Sequence, residues 1–143
     1  MTNGMMKQEL AEAITAGERA LRSLKAAQEK LKSARNWGLY DMLGGGWISS
    51  AIKQSKVKDA SLDMENAKRD LQIFQRELQD VHVSQELRVE IGSFLSFADF
   101  FFDGFVADYL VQSKINDARE QVEDAIYRVE NLLRDLQQQY RQV

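Results

Sequence analysis

Long runs of apolar residues at alternating steps of three and four constrain the fold more than any other feature. The first run is Leu10, Ala13, Gly17, Ala20, Leu24, Ala27, Leu31 and Ala34. The second is Val57, Ala60, Met64, Ala67, Leu71, Phe74, Leu78 and Val81. The third is Val111, Ile115, Ala118, Val122, Ala125, Val129, Leu132 and Leu136. This spacing puts one apolar stripe on each of three helices. The chain has no proline, which favours long uninterrupted helices.

The sequence predicts four helices, with breaks where helix-terminating residues occur. The predicted ranges are 6–35, 47–80, 84–98 and 104–140. Asn36 and Gly38 are suited to a left-handed C-cap that ends the first helix. Three consecutive glycines at 44–46 separate the first two helices, because glycine is unfavourable inside a helix. Ser84 is the predicted N-cap of the third helix.

The chain also contains an internal repeat, because a shift of 58 residues lays one part of the sequence on another. Asp41 then falls on Asp99, and the two apolar frames coincide as far as 78 and 136. The repeated polar residues are Gln54, Lys56 and Asp59 in one copy and Gln112, Lys114 and Asp117 in the other. We infer two helix-elbow-helix units over about 37–80 and 95–140, the second with a shorter first arm.

Together these patterns predict the fold class and the domain organisation. A length of 143 residues fits one domain, 1–143. We expect an all-α fold, an antiparallel four-helix bundle of long coiled-coil-like hairpins built on the duplicated unit. The first apolar stripe includes Ala13, Ala20 and Ala27, and small residues of this kind allow a neighbouring helix to approach closely.

Aromatic residues cluster in the two elbows of the repeat and form the predicted interaction surface. They are Trp37, Tyr40, Trp47, Phe97, Phe100, Phe101, Phe102 and Phe105. One interpretation is that the elbows pack together as the thickest part of the core. Another is an exposed apolar patch for a second copy or a partner helix. A membrane-touching tip is a third, although no lysine or arginine lies between Arg88 and Lys114 to attract anionic lipid.

Asp41 and Asp99 are the candidate metal ligands, because carboxylates suit hard cations. The alternative is a structural role, in which they cap helix starts or link the two repeats. Di-metal helical bundles add Glu-x-x-His pairs, and this chain has none. Its single histidine, His82, lies at a helix end. Lys56 with Asp59, and Lys114 with Asp117, are i,i+3 pairs that fit a surface helix.

Charge and composition limit the kinds of partner that the chain is expected to bind and the cellular compartment in which it is expected to occur. The net charge of −3 argues against general nucleic-acid binding, because the nucleic-acid backbone is itself negatively charged. Residues 19–35 carry six basic side chains and one acidic one, Glu29, and acidic residues of the fourth helix are the simplest partners for them. These acidic residues are Glu120, Glu123, Asp124 and Glu130. The absence of cysteine and of any signal-like or membrane-spanning stretch predicts a cytoplasmic protein.

A short motif resembles one found in uncharacterised bacterial all-helical proteins. Trp37, Gly38, Asp41 and the glycines at 44–46 form the pattern W-G-x-x-D-x-x-G-G-G. The similarity covers roughly residues 34–60. It implies a small bacterial helical protein, and it implies no activity, cofactor or substrate.

No catalytic or cofactor-binding motif is present in the sequence. We therefore expect a non-enzymatic structural or interaction protein without a cofactor. It would associate with itself as a homodimer, or bind another helical protein. The contact would use its apolar stripes with their small residues, which we call seams, or its aromatic elbows. The first alternative is a small-ligand or divalent-cation protein that uses Asp41 and Asp99. The second is a peripheral membrane protein.

Overall fold

A computed structural model describes residues 3–42, 46–104 and 115–143. Within these ranges the chain forms four helices and no strand, which confirms the all-α class. The helices are α1 Asn3–Met42, α2 Gly46–Asp80, α3 Gln85–Gly104 and α4 Ile115–Gln142. None of them, among the residues described, is long and apolar enough to cross a membrane.

The first helix is longer than the sequence predicted. The prediction that Asn36 and Gly38 end it is wrong, because α1 continues to Met42. A single glycine inside a helix costs only about 1 kcal/mol relative to alanine, so it does not by itself stop one. The predicted N-cap is confirmed, since Ser84 Oγ accepts a hydrogen bond from the Leu87 backbone N–H at 3.3 Å.

The last two helices differ from the prediction at their shared boundary. Helix α3 runs six residues beyond the predicted end at 98, through the phenylalanine-rich stretch to Gly104. The described part of α4 begins at Ile115, and the predicted start at 104 cannot be compared because residues 105–114 lie outside the described ranges. The described part of α2 begins at Gly46, and the predicted start at 47 cannot be compared because residues 43–45 lie outside the described ranges.

The predicted apolar stripes form the core. Every stripe residue whose side chain is described is buried: positions 10, 13, 17, 20, 24, 27 and 31 in α1, 64, 67, 71, 74, 78 and 81 at α2, and 122, 125, 129, 132 and 136 in α4. Helix α3 adds Leu87, Ile91, Phe94 and Ala98. The seams are therefore covered by the chain itself. We expected these seams to bind a second copy or another helical protein. For the described residues that expectation is wrong, because no apolar surface is left uncovered there.

Helix α1 is the centre of the packing and lies against both α2 and α4. At Gly17 the approach is so close that an added Cβ atom would lie 2.9 Å from the Phe74 ring and 2.6 Å from Leu133 Cδ2. Ala13 and Ala20, one turn to either side, have no solvent exposure. The small residues of this seam were predicted to allow close approach of a neighbouring helix. That prediction is confirmed here, since they leave room for two such helices.

Contacts near the start of α1 show which parts of the other helices lie beside it. Glu9 Oε2 lies 3.0 Å from His82 Nδ1, just beyond the end of α2. The Lys7 ammonium lies 5.0 Å from the centre of the Tyr140 ring in α4. His82 and Tyr140 are 58 positions apart in the sequence, which is the shift that relates the two proposed repeats.

Helix α3 packs less extensively than α1 and contacts α2 and α4. The Phe94 ring lies 5.4 Å from the Phe74 ring of α2, centre to centre. On the other side, the Arg128 guanidinium of α4 lies 4.4 Å from the centre of the Phe97 ring. Aromatic side chains thus connect α3 to both neighbouring helices, beside the buried aliphatic residues Leu87, Ile91 and Ala98.

Candidate functional site

The predicted aromatic surface lies almost wholly outside the described side chains, which cover 4–32, 62–99 and 119–143. Trp37 and Tyr40 fall in the last turns of α1, Trp47 in the first turn of α2, and Phe100, Phe101 and Phe102 near the end of α3. Phe105 lies outside the described ranges altogether. Whether these residues form core or surface therefore stays a prediction.

Phe97 is the one member of the aromatic set with a described side chain, and it is half-buried. Its ring packs against the ring of Phe94, with 6.3 Å between the centres. The Arg128 guanidinium covers it from α4, and a cation over an aromatic face is attractive. Phe97 therefore joins α3 to α4.

The repeated polar residues cannot be placed as a site. The side chains of Asp41, of Gln54, Lys56 and Asp59, and of Gln112, Lys114 and Asp117 all lie outside the described set. Asp99 is exposed, and its Oδ1 accepts a hydrogen bond from Gln75 Nε2 at 2.9 Å. In the described ranges, no group of three or more histidine and carboxylate side chains is arranged to hold a metal ion. The Asp41–Asp99 pair stays a hypothesis.

Two of the four acidic residues of α4 that were predicted to pair with the basic stretch of α1 pair with arginines of α4 instead. Glu123 pairs with Arg119 at 3.3 Å, and Asp124 pairs with Arg128 at 3.3 Å, both within α4. For Glu123 and Asp124 the predicted pairing with α1 is therefore wrong. These are i,i+4 pairs, and they form readily because residues four apart are neighbours on one helix face.

A groove runs between α3 and α4, and sequence analysis missed it. Its larger part has a volume of about 480 Å³, with Phe94 and Leu132 among its lining residues. An adjoining cavity of about 210 Å³ lies toward the start of α3. Glu90 and Asp135 line both parts, so the two form one continuous surface, which we call the α3–α4 groove. No sequence pattern signals it, because it depends on how far α3 stands from α4.

The groove is acidic at the end near the start of α3. The side-chain hydrogen bond with Asp135, followed by burial and the negative charges of Asp135 and Glu86, raises the pKa of Glu90. The two arginines of the groove are each bonded to another residue that lines it. Arg128 binds Asp124, and Arg134 Nη2 donates to Asn131 Oδ1 at 2.6 Å.

Two large apolar side chains are exposed on the outer surface of the same two helices. Val89 on α3 is 69% exposed, and Tyr127 on α4, which lines the groove, is 66% exposed. Arg128, the next residue along α4, also lines the groove. Aromatic side chains and arginine are enriched in protein interfaces, so this composition is typical of a contact surface.

Comparison of the chain with protein-family models, with curated proteins and with solved structures gave no significant match. The function proposed below therefore rests on the chain's own residues.

Proposed function

We propose that this chain is a non-enzymatic helical bundle that binds another helix, a second copy of itself first of all, through the outer surface of α3 and α4. The observation that carries the proposal is the exposure of Val89 on α3 and of Tyr127, which lines the α3–α4 groove, on α4. Burying a side chain of this size contributes about 1.5–3 kcal/mol. A surface that presents both is therefore a source of association energy.

The bundle is antiparallel in this proposal. Glu9 and Ser23, in that order along α1, contact His82 and Asp70, whose order along the chain is reversed. Reversed order is what two helices that run in opposite directions produce, and short connections such as 81–84 join helices of this kind.

The internal duplication is part of the proposal and is supported by the contacts of α1. His82 and Tyr140 lie beside the same turn of α1, and Phe74 and Leu133 lie beside Gly17. The members of these pairs are 58 and 59 positions apart. In this interpretation α2 and α4 are two copies of one helical segment. Corresponding residues of the two copies contact α1 at the same position along its axis.

Self-association is the preferred form of binding because a symmetric dimer needs only one surface. In a twofold dimer the same patch lies on both subunits, so Val89 and Tyr127 of each copy are covered at once. The described residues of the apolar stripes on the three long helices are already buried inside the chain. Val89 and Tyr127 are the two most exposed of the large apolar side chains described, which favours the outer surface of α3 and α4 as the interface.

Light scattering coupled to gel filtration tests the proposal. We expect a mass near twice 16.4 kDa that does not change with concentration. The double substitution Val89→Asp and Tyr127→Asp should convert this species to the monomer, because it places four charges in a twofold interface. Leu62→Asp is the matched control, since Leu62 is 59% exposed on a different helix, and it should leave the dimer intact.

Two results would overturn the proposal. One is a monomeric mass for the unaltered chain at every concentration. The other is dissociation of the dimer by Leu62→Asp but not by the double substitution on α3 and α4. Circular dichroism of each variant checks that its helices are formed.

A further inference from the structure

We propose that the α3–α4 groove also binds a basic amphipathic helix from another protein, which takes the place of the second copy. The groove has the length, the apolar floor and the unmatched negative charge that such a helix requires. The inference rests on the proposed function, because it uses the same outer surface of α3 and α4 and names a further partner for it.

The groove is long enough for several turns of helix. Its lining runs along α4 from Asp124 to Gln142, and on the other side from Ser84, the N-cap of α3, to Phe94. At a rise of about 1.5 Å per residue, the α4 side is about 27 Å long. An elongated groove between two helices is the kind of surface on which a third helix lies.

Apolar side chains form the floor of the groove and part of its edge. Phe94 and Leu132 line it, and both are buried between the helices. Tyr127 lines it too and is mostly exposed. Val89 lies one turn before the lining residue Ser93, on the same face of α3. A helix that lies in the groove can cover these side chains with its own apolar stripe.

The groove carries more negative than positive charge. The described residues that line it include two arginines and four carboxylates. Arg128 is paired with Asp124, and Arg134 donates to Asn131. Within the described part of the chain, no cation pairs with the other three carboxylates of the lining, which are Glu86, Glu90 and Asp135. A helix with lysine or arginine beside its apolar stripe would supply the missing cations.

A second copy covers the apolar side chains but does not match this charge. In a twofold dimer built on this surface, each groove faces the same surface of the other copy, which has the same net charge. Like charges that face each other across an interface are unfavourable. A basic helix gains both the apolar contact and the charge pairing. Because it also covers Tyr127, it excludes the second copy.

Fluorescence anisotropy with synthetic peptides tests the inference. The first peptide is an amphipathic helix of about 18 residues, the length of the groove, with leucine on one face and lysine on the other. The second has glutamate in place of lysine. The third has the composition of the first, in an order that gives no apolar face. We expect the lysine helix to bind at least about tenfold more tightly than either control, because each control lacks one of the two contributions.

Substitutions in the groove test where the lysine helix binds. Glu90→Gln with Asp135→Asn should weaken its binding by roughly three- to thirtyfold, the range expected for two exposed ion pairs. Glu65→Gln with Glu130→Gln is the matched control, since it changes the net charge equally at two exposed carboxylates outside the lining. It should leave the binding unchanged. Circular dichroism of each variant checks that its helices are formed.

Light scattering should show that the lysine helix replaces the dimer by a complex of one chain with one peptide. Three results would overturn the inference: equal binding of the lysine helix and either control peptide, equal loss of binding in the two variant pairs, or a bound peptide with the dimer intact. The proposed dimer stands in each of these cases if the unaltered chain has twice the monomer mass. A monomeric chain that binds the lysine helix in the groove would contradict self-association and support the inference.

Discussion

Gly17 of α1 and Phe74 of α2 are so close that an added Cβ atom on the glycine would lie 2.9 Å from the phenylalanine ring. The same atom would lie 2.6 Å from Leu133 Cδ2 in α4. Because Gly17 has no side chain, α1 can pack between two larger residues from two different helices. Three helices therefore meet closely at this point of the core.

Substitution of Gly17 by alanine should destabilise the fold. The added methyl group overpacks the core, which typically costs about 1–3 kcal/mol. Alanine recovers about 1 kcal/mol of helix propensity, so we expect a net loss of about 1 kcal/mol in the free energy of unfolding. Urea denaturation followed by circular dichroism measures it.

Gly92→Ala is the matched control, because Gly92 also lies within a helix but has nothing within 4 Å of an added Cβ. It should stabilise the chain by about 0.5–1 kcal/mol. If both alanine variants are more stable than the unaltered chain, α1 does not approach its neighbours as closely as the structure indicates.

Ser84→Ala should destabilise α3 by about 0.5–2 kcal/mol, because it removes the hydroxyl that accepts the Leu87 N–H. Ser84→Asp keeps a side-chain oxygen at the N-cap and should retain most of the stability. Amide exchange at 86–90 reports the local effect. Equal loss in the alanine and aspartate variants would argue against the cap.

Glu90→Gln should stabilise the chain at neutral pH by a few tenths of a kcal/mol, a small value because the side chain is exposed. The pKa of Glu90 is raised by folding, chiefly by its hydrogen bond with Asp135. Its favourable contribution is therefore complete below its ordinary value of 4.5 and is lost as pH rises through the raised value. Glutamine donates at every pH, so the gain should appear at neutral pH and vanish in acid.

Denaturant unfolding of Glu90→Gln and of the unaltered chain at several pH values checks this prediction. Asp135→Asn should show the same pattern, since it removes the other carboxylate. A stabilisation that grows as pH falls would have the wrong sign and would contradict the proposed pairing.

The sequence predicted the helices and their buried faces because a helix repeats every 3.6 residues and a buried stripe must follow that period. Leu24, Leu71 and Val129 were placed in the core in this way, and all three are fully buried. The N-cap at Ser84 was equally local. Its signal is one hydroxyl side chain directly before an apolar-periodic segment.

Other features were predicted wrongly or not at all. The end of α1 was misplaced, because a residue that is able to cap a helix does not have to do so. The α3–α4 groove had no local signal either, since Glu90 and Asp135 are separated by 45 positions. The pairs Arg119–Glu123 and Arg128–Asp124 did have a local signal, the i,i+4 spacing, and the prediction wrongly chose the cations of α1 instead.

The central proposal is that α2 and α4 are two copies of one helical segment, so that corresponding residues contact α1 at the same position along its axis. Paired nitroxide labels test it directly, because the chain has no native cysteine and each label goes only where one is introduced. The label positions are exposed residues: Thr15 on α1 as the common reference, Arg76 on α2, and Arg134 on α4, 58 positions after Arg76. We predict that the distances 15–76 and 15–134 differ by less than about one helical turn, or about 5.4 Å. A difference of several turns would contradict the claim.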